Sequence, residues 1–94
     1  LLLQALPDSY SLLPAYPNPF NPATNISYTI PTDSYVKVLV FDLQGRLVAE
    51  LVNREQFAGK YSVSWNGSNQ SSGMYLVQML SPDFTQTQKI LLLK

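Results

Sequence analysis

The run Tyr16-Pro-Asn-Pro-Phe-Asn-Pro22 constrains the fold of this chain more than any other stretch. Each proline fixes φ and removes a backbone donor, and each residue ahead of a proline is pushed toward extended conformations. With Pro17, Pro19 and Pro22 so close together, no helix can form here. The segment reads as a stiff, extended lead-in with one large apolar anchor, Phe20. It runs into Ile26-Ser-Tyr-Thr-Ile30, whose alternation of apolar and polar residues marks a half-buried strand. Proline also protects a sheet edge, because it offers no donor to a passing chain. The segment is therefore expected to form the first edge of a β domain.

The remainder is punctuated like an antiparallel β domain. Residues 35–42 place Val36, Val38 and Val40 on one face, and Leu43-Gln44-Gly45 closes a tight hairpin into a strand over 46–52. In that hairpin Gly45 supplies a positive-φ position, Asp42 bonds local backbone and Arg46 pairs with Asp42. Residues 53–59 read as a polar loop ending at Gly59. Tyr61, Val63 and Trp65 then alternate with Lys60, Ser62 and Ser64, which sends the large side chains inward. A long polar turn over 66–73 follows, with Gly67 and Gly73 as turn residues. Strands over 74–81 and 85–94 close the chain around Pro82-Asp83. About seven short, evenly spaced strands predict an all-β fold, an immunoglobulin-like antiparallel β-sandwich.

Composition narrows the function. The 94 residues suit one domain, and six acidic against six basic residues leave no net charge. A nucleic-acid partner needs a basic surface, and an anionic membrane needs a polybasic run; neither is present, and direct membrane insertion is not expected. Cysteine and histidine are both absent, which removes the commonest zinc sites, the cysteine nucleophile and every histidine-based triad. No catalytic residue, metal site or cofactor is expected. The chain opens Leu1-Leu-Leu-Gln-Ala-Leu6 without methionine, so residues 1–9 read as linker or the remnant of an upstream region, and 10–94 as the domain.

Two features leave alternatives open. Lys89-Ile-Leu-Leu-Leu-Lys94 and Met74–Leu80 are apolar at positions of both parities, whereas a two-layer sandwich expects a polar outer face. Either the outer side chains are covered from within the protein, or they form a partner-binding patch bracketed by Lys89 and Lys94. Trp65, Tyr61 and Tyr75 could form a carbohydrate-stacking platform, although their alternation favours the core.

Tyr16-Pro-Asn-Pro-Phe-Asn-Pro-Ala-Thr24, then Ile26 and Tyr28, then Val40-Phe-Asp-Leu-Gln-Gly-Arg46 resemble the C-terminal sorting domain of the bacterial type IX secretion system. Gly59-Lys-Tyr61, Trp65-Asn-Gly67, Ser72-Gly-Met-Tyr75 and the ending Lys89–Lys94 continue the likeness in order. The second half is also similar to the immunoglobulin-like domain of the flagellar hook-capping protein. Asn66 departs from the aspartate of many relatives, and the turn after it lacks a second acidic residue, which speaks against a metal role there. The resemblance implies a non-catalytic address on an exported cargo, routed through the periplasm and an outer-membrane translocon to the cell surface or beyond. It further implies a surface transpeptidase that removes the domain and anchors the cargo. Recognition is expected at Pro17, Asn18, Pro19, Phe20, Asn21, Pro22, Lys89 and Lys94. Asp42, Gly45, Arg46, Gly59, Trp65, Gly67, Gly73 and Tyr75 are expected to shape the fold. The alternatives are a carbohydrate-binding or adhesive module of a surface hydrolase, and a structural assembly domain of the hook-cap type.

Overall fold

In the computed structural model, which describes residues 6–94, the described chain is built of strands and turns. Seven strands form two antiparallel sheets: β1 (Ser11–Leu12), β2 (Ala23–Ile30) and β5 (Gly59–Asn66) in the order β1-β2-β5, and β3 (Ser34–Asp42), β4 (Leu47–Gln56), β6 (Gly73–Ser81) and β7 (Phe84–Leu92) in the order β4-β3-β6-β7. This is the expected all-β sandwich. The expected linker over 1–9 lies outside the described residues as far as residue 5. At its other end the Ser9 carbonyl already accepts from Thr29 Oγ1 at 2.9 Å.

The core follows from strand parity. Ile26, Tyr28 and Ile30 from β2 meet Val36, Val38 and Val40 from β3, Tyr75, Val77 and Met79 from β6, and Ile90 and Leu92 from β7, all buried. Each is a β-branched, long aliphatic or aromatic residue at every second position, the pattern that buries one sheet face against another. Tyr28 brings a hydroxyl into this core and donates it to Gln56 Oε1 at 2.6 Å. Burial raises the Tyr28 pKa above its ordinary value, while the bond to Gln56 lowers it.

The residues expected to form a polar loop over 53–59 do otherwise. β4 runs on to Gln56, pairing Asn53 with Lys37 and Gln56 with Ser34, and only Phe57 and Ala58 turn into β5. Asn53, Arg54 and Glu55 are polar because β4 is an edge strand, and Gln56 is buried because Tyr28 needs an acceptor. β2 also starts earlier than its apolar alternation, at Ala23, because Ala23 already faces Asn66. The inward set of β5 is confirmed with a gradient: Trp65 is buried, while Tyr61 and Val63 are half-buried at the sheet margin.

The proline segment departs most from a simple lead-in. It bends across the side of the sandwich instead of extending one sheet, with cis peptide bonds ahead of Pro17, Pro19 and Pro22. Tyr16 bridges antiparallel to Asn25 of one sheet, and Phe20 bridges parallel to Leu92 of the other.

Candidate recognition pole

Register fixes which loops share an end of the sandwich. β2 begins with Ala23 opposite Asn66, β3 ends with Asp42 opposite Tyr75, and β7 ends with Leu92 opposite Gly73. The 17–22 segment, the 42–46 hairpin, the 66–73 loop and Lys94 therefore meet at one pole. Of the residues expected to matter, Gly59 lies at the opposite pole, where it opens β5 opposite Ile30.

Phe20 is the keystone of this pole. It is 2% exposed, its ring centroid lies 5.6 Å from that of Trp65, and Trp65 in turn stands edge-on to Tyr75 at 5.3 Å. This inward cluster resolves the aromatic alternative in favour of the core: Trp65 and Tyr75 are buried, and Tyr61 stacks on Tyr28 at 5.5 Å. Gly67 sits where a Cβ would come within 3.1 Å of Leu92 Cδ2 and 3.4 Å of the Trp65 ring, so glycine is needed for close approach. Its N–H donates to the Pro22 carbonyl at 2.7 Å, which ties the loop to the proline segment.

Asn18 does what a strand would do. Its Oδ1 accepts from the Leu91 N–H at 3.0 Å and its Nδ2 donates to the Lys89 carbonyl at 3.2 Å, so the amide stands in for a peptide group along the outer edge of β7. Two residues on, the Phe20 N–H donates to the Leu91 carbonyl and the Phe20 carbonyl accepts from Leu93 N–H. Gln88 answers from the other side, its Oε1 accepting from Ala15 N–H and its Nε2 donating to the Leu13 carbonyl. Gln86 Nε2 reaches the Leu12 carbonyl. Thr24, buried, donates its hydroxyl to the Pro17 carbonyl at 2.7 Å. Gln86, Gln88 and Thr24 were not anticipated. The signal was present in β7: Gln86 and Gln88 share parity with buried Ile90 and Leu92, and polar side chains at inward positions require partners.

The hairpin forms as its residues predict. Gly45 adopts φ 84°, Asp42 Oδ1 accepts from the Gln44 and Arg46 N–H groups at 3.0 Å each, and Asp42 Oδ2 accepts from Arg46 Nε at 2.8 Å. These bonds, the Arg46 backbone first among them, hold the Asp42 carboxyl below its ordinary range. Beside it opens a shallow polar groove of about 310 Å³, between Asp42–Arg46 and Gln70–Tyr75. Tyr75 closes its floor by donating its hydroxyl to the Ser71 carbonyl at 2.6 Å.

Lys89 and Lys94 do not come together. Lys89 lies on the outer face of the four-stranded sheet, in a row with Leu76, Phe41 and Leu47. Lys94 lies at the pole, donating Nζ to the Ser68 carbonyl at 2.6 Å. The apolar ending divides by parity. Ile90 and Leu92 are core, while Leu91, Leu76 and Phe41 line an outer face that stays partly open and includes Leu47, 54% exposed. Pro17, Pro19, Asn21 and Pro22 are exposed. Among the described residues, no group of three or more acidic, cysteine or histidine side chains is placed to hold a metal.

The sequence matches the family described as the secretion system C-terminal sorting domain over residues 14–93. No curated protein and no solved structure matches it. The matched span covers the proline segment, the hairpin, the Trp65 strand and β7, which are the elements that build the pole. Sorting domains of this family are generally non-catalytic, and they mark proteins for export to the cell surface or the extracellular space. The chain belongs to this family, as a cargo-attached sorting domain handled by the type IX secretion machinery.

Proposed function

We propose that this domain works purely as an address and carries out no reaction, and that the pole is what the outer-membrane translocon reads. The observation that carries this is convergence. Four separated stretches of the sequence meet at one end of the sandwich, and there Phe20, Trp65 and Tyr75 are buried while Pro17, Pro19, Asn21, Pro22, Arg46 and Lys94 remain exposed. A surface whose backbone is already fixed by packing loses little entropy when a partner binds it. Lys89, on the adjoining outer face, would extend the contact along β7. In this reading the domain crosses the periplasm folded, and a surface transpeptidase separates cargo from address upstream of Ser9, where the strand-bonded chain begins.

The test is a periplasmic reporter carrying the 94-residue chain at its end, expressed in a host with a working type IX system. The reporter is expected at the surface. The paired substitution Lys89→Ala and Lys94→Ala is expected to leave it in the periplasm with its thermal unfolding unchanged. Normal surface delivery of that variant would reject the pole and Lys89 as the recognition surface.

A further inference from the structure

The margins of the two sheets are protected very unequally. On one side, the chain that continues β1 as far as Phe20 covers β7, bonded through the side-chain amides of Asn18 and Gln88. On the other side lie two edge strands, β4 and β5. The β4 ladder is interrupted twice, by register shifts at Val38/Leu39 and Val40/Phe41, and it carries Glu50, Arg54 and Glu55. Bulges and charges are the usual devices that keep an edge from pairing. β5 has neither bulge nor proline: its register against β2 runs unbroken from Gly59 to Asn66, with Lys60 its one charge.

The direction of its backbone groups follows from the other side of β2. Asn25 exchanges both backbone bonds with Tyr16, and the Ser27 carbonyl accepts from Leu13, so these two residues point away from β5. Alternation then aims Ile26 and Tyr28 at β5, where Val63 and Tyr61 meet them. Lys60, Ser62 and Ser64 consequently turn their N–H and C=O groups outward, along an edge that pairs with no strand among the described residues.

We propose that this edge binds a second copy of the same chain, β5 against β5 antiparallel about Ser62, joining two three-stranded sheets into one of six. The strand carries its own complement. In that register Ser62 faces Ser62, Lys60 faces Ser64 and no like charges oppose. The half-buried Tyr61 covers Val63 of the second copy, an aromatic against a β-branched residue, which is a favourable cross-strand pair. The small hydroxyl side chains of Ser62 and Ser64 leave the approach unobstructed. The inference is independent of the sorting assignment, because it rests on edge geometry alone.

Sedimentation equilibrium of the 94-residue chain tests it. A monomer–dimer equilibrium is expected, weakened roughly fivefold by Ser64→Lys and strengthened roughly fivefold by Ser64→Glu, since each dimer contains the 60–64 contact twice. Ser62→Pro is expected to abolish the dimer while the near-ultraviolet signal of buried Trp65 persists, because only an outward donor is lost. If Ser62→Pro does not fold, the two charge variants carry the test alone. A monomer up to about 1 mM would overturn the proposal. So would a dimer indifferent to the charge at 64, or one dispersed by Leu47→Ser on the apolar outer face.

Discussion

The two sides of this sandwich solve the same problem differently. Where β1 and β7 meet the solvent, a strap over residues 12–20 closes the gap with three buried side chains, Leu12, Ala15 and Phe20, and with amides that imitate peptide groups. Where β4 and β5 meet it, no segment among the described residues pairs with either edge, and only β4 is defended by bulges and charges. The contrast shows what the proline-rich segment is for. Its inward residues are structural, and its prolines leave few donors exposed on the covered side. The pole built this way exists only once the strap has docked, since Phe20 and Asn18 reach partners some seventy residues away.

The largest effect should come from the strap's plug. Phe20→Ala empties a site packed against Trp65 and Leu92, and urea unfolding should show a loss of about 3–5 kcal/mol. The matched change on the open side, Phe57→Ala at a position 77% exposed, should move stability by less than about 0.5 kcal/mol. Similar losses at both positions would erase the distinction between the two sides.

A smaller effect should follow at Asn18. Replacing it with alanine strips partners from the Leu91 N–H and the Lys89 carbonyl, at a cost of about 1–2 kcal/mol in the same unfolding experiment. Asn18→Asp keeps the acceptor for Leu91 but sets a carboxylate against the Lys89 carbonyl, and should not rescue the loss. Full stability in Asn18→Asp would mean that only the accepting half of the amide matters.

The smallest effect concerns the hairpin at the pole, outside the strap. The Asp42 pKa is lowered in the folded protein, chiefly by the Arg46 N–H, so its contribution to stability is present above the ordinary value of 3.8 and is lost as pH falls through the lower folded value. Asp42→Asn should therefore flatten the acid limb of the stability profile and leave the strap's contribution intact. An unchanged acid limb would remove Asp42 as its source.

Much of this architecture was legible in particular residues. The alternation through Tyr61, Val63 and Trp65 and through Val36, Val38 and Val40 fixed strand faces, because burial on one sheet face imposes a period of two. The Asp42–Arg46 turn was readable because its bonds are local. Two things were not. The continuation of β4 to Gln56 hides behind polar residues, since an edge strand exposes most of its side chains and the one buried amide answers Tyr28 from another sheet. The fold-back of the strap depends on Asn18 and Gln88 meeting distant backbone, and no local pattern encodes such a meeting. The pole itself was present in the sequence only as scattered motifs; the antiparallel registers that gather them are tertiary facts.

Backbone hydrogen exchange, read residue by residue in dilute solution, tests the difference between the two sides most directly. The Leu91 and Leu93 amides, bonded to Asn18 and to the Phe20 carbonyl, should be protected like the interior ladder, while the Ser62 and Ser64 amides should exchange quickly. Exchange at Leu91 and Leu93 as fast as at Ser62 and Ser64 would contradict the account, because the strap would then not seal β7.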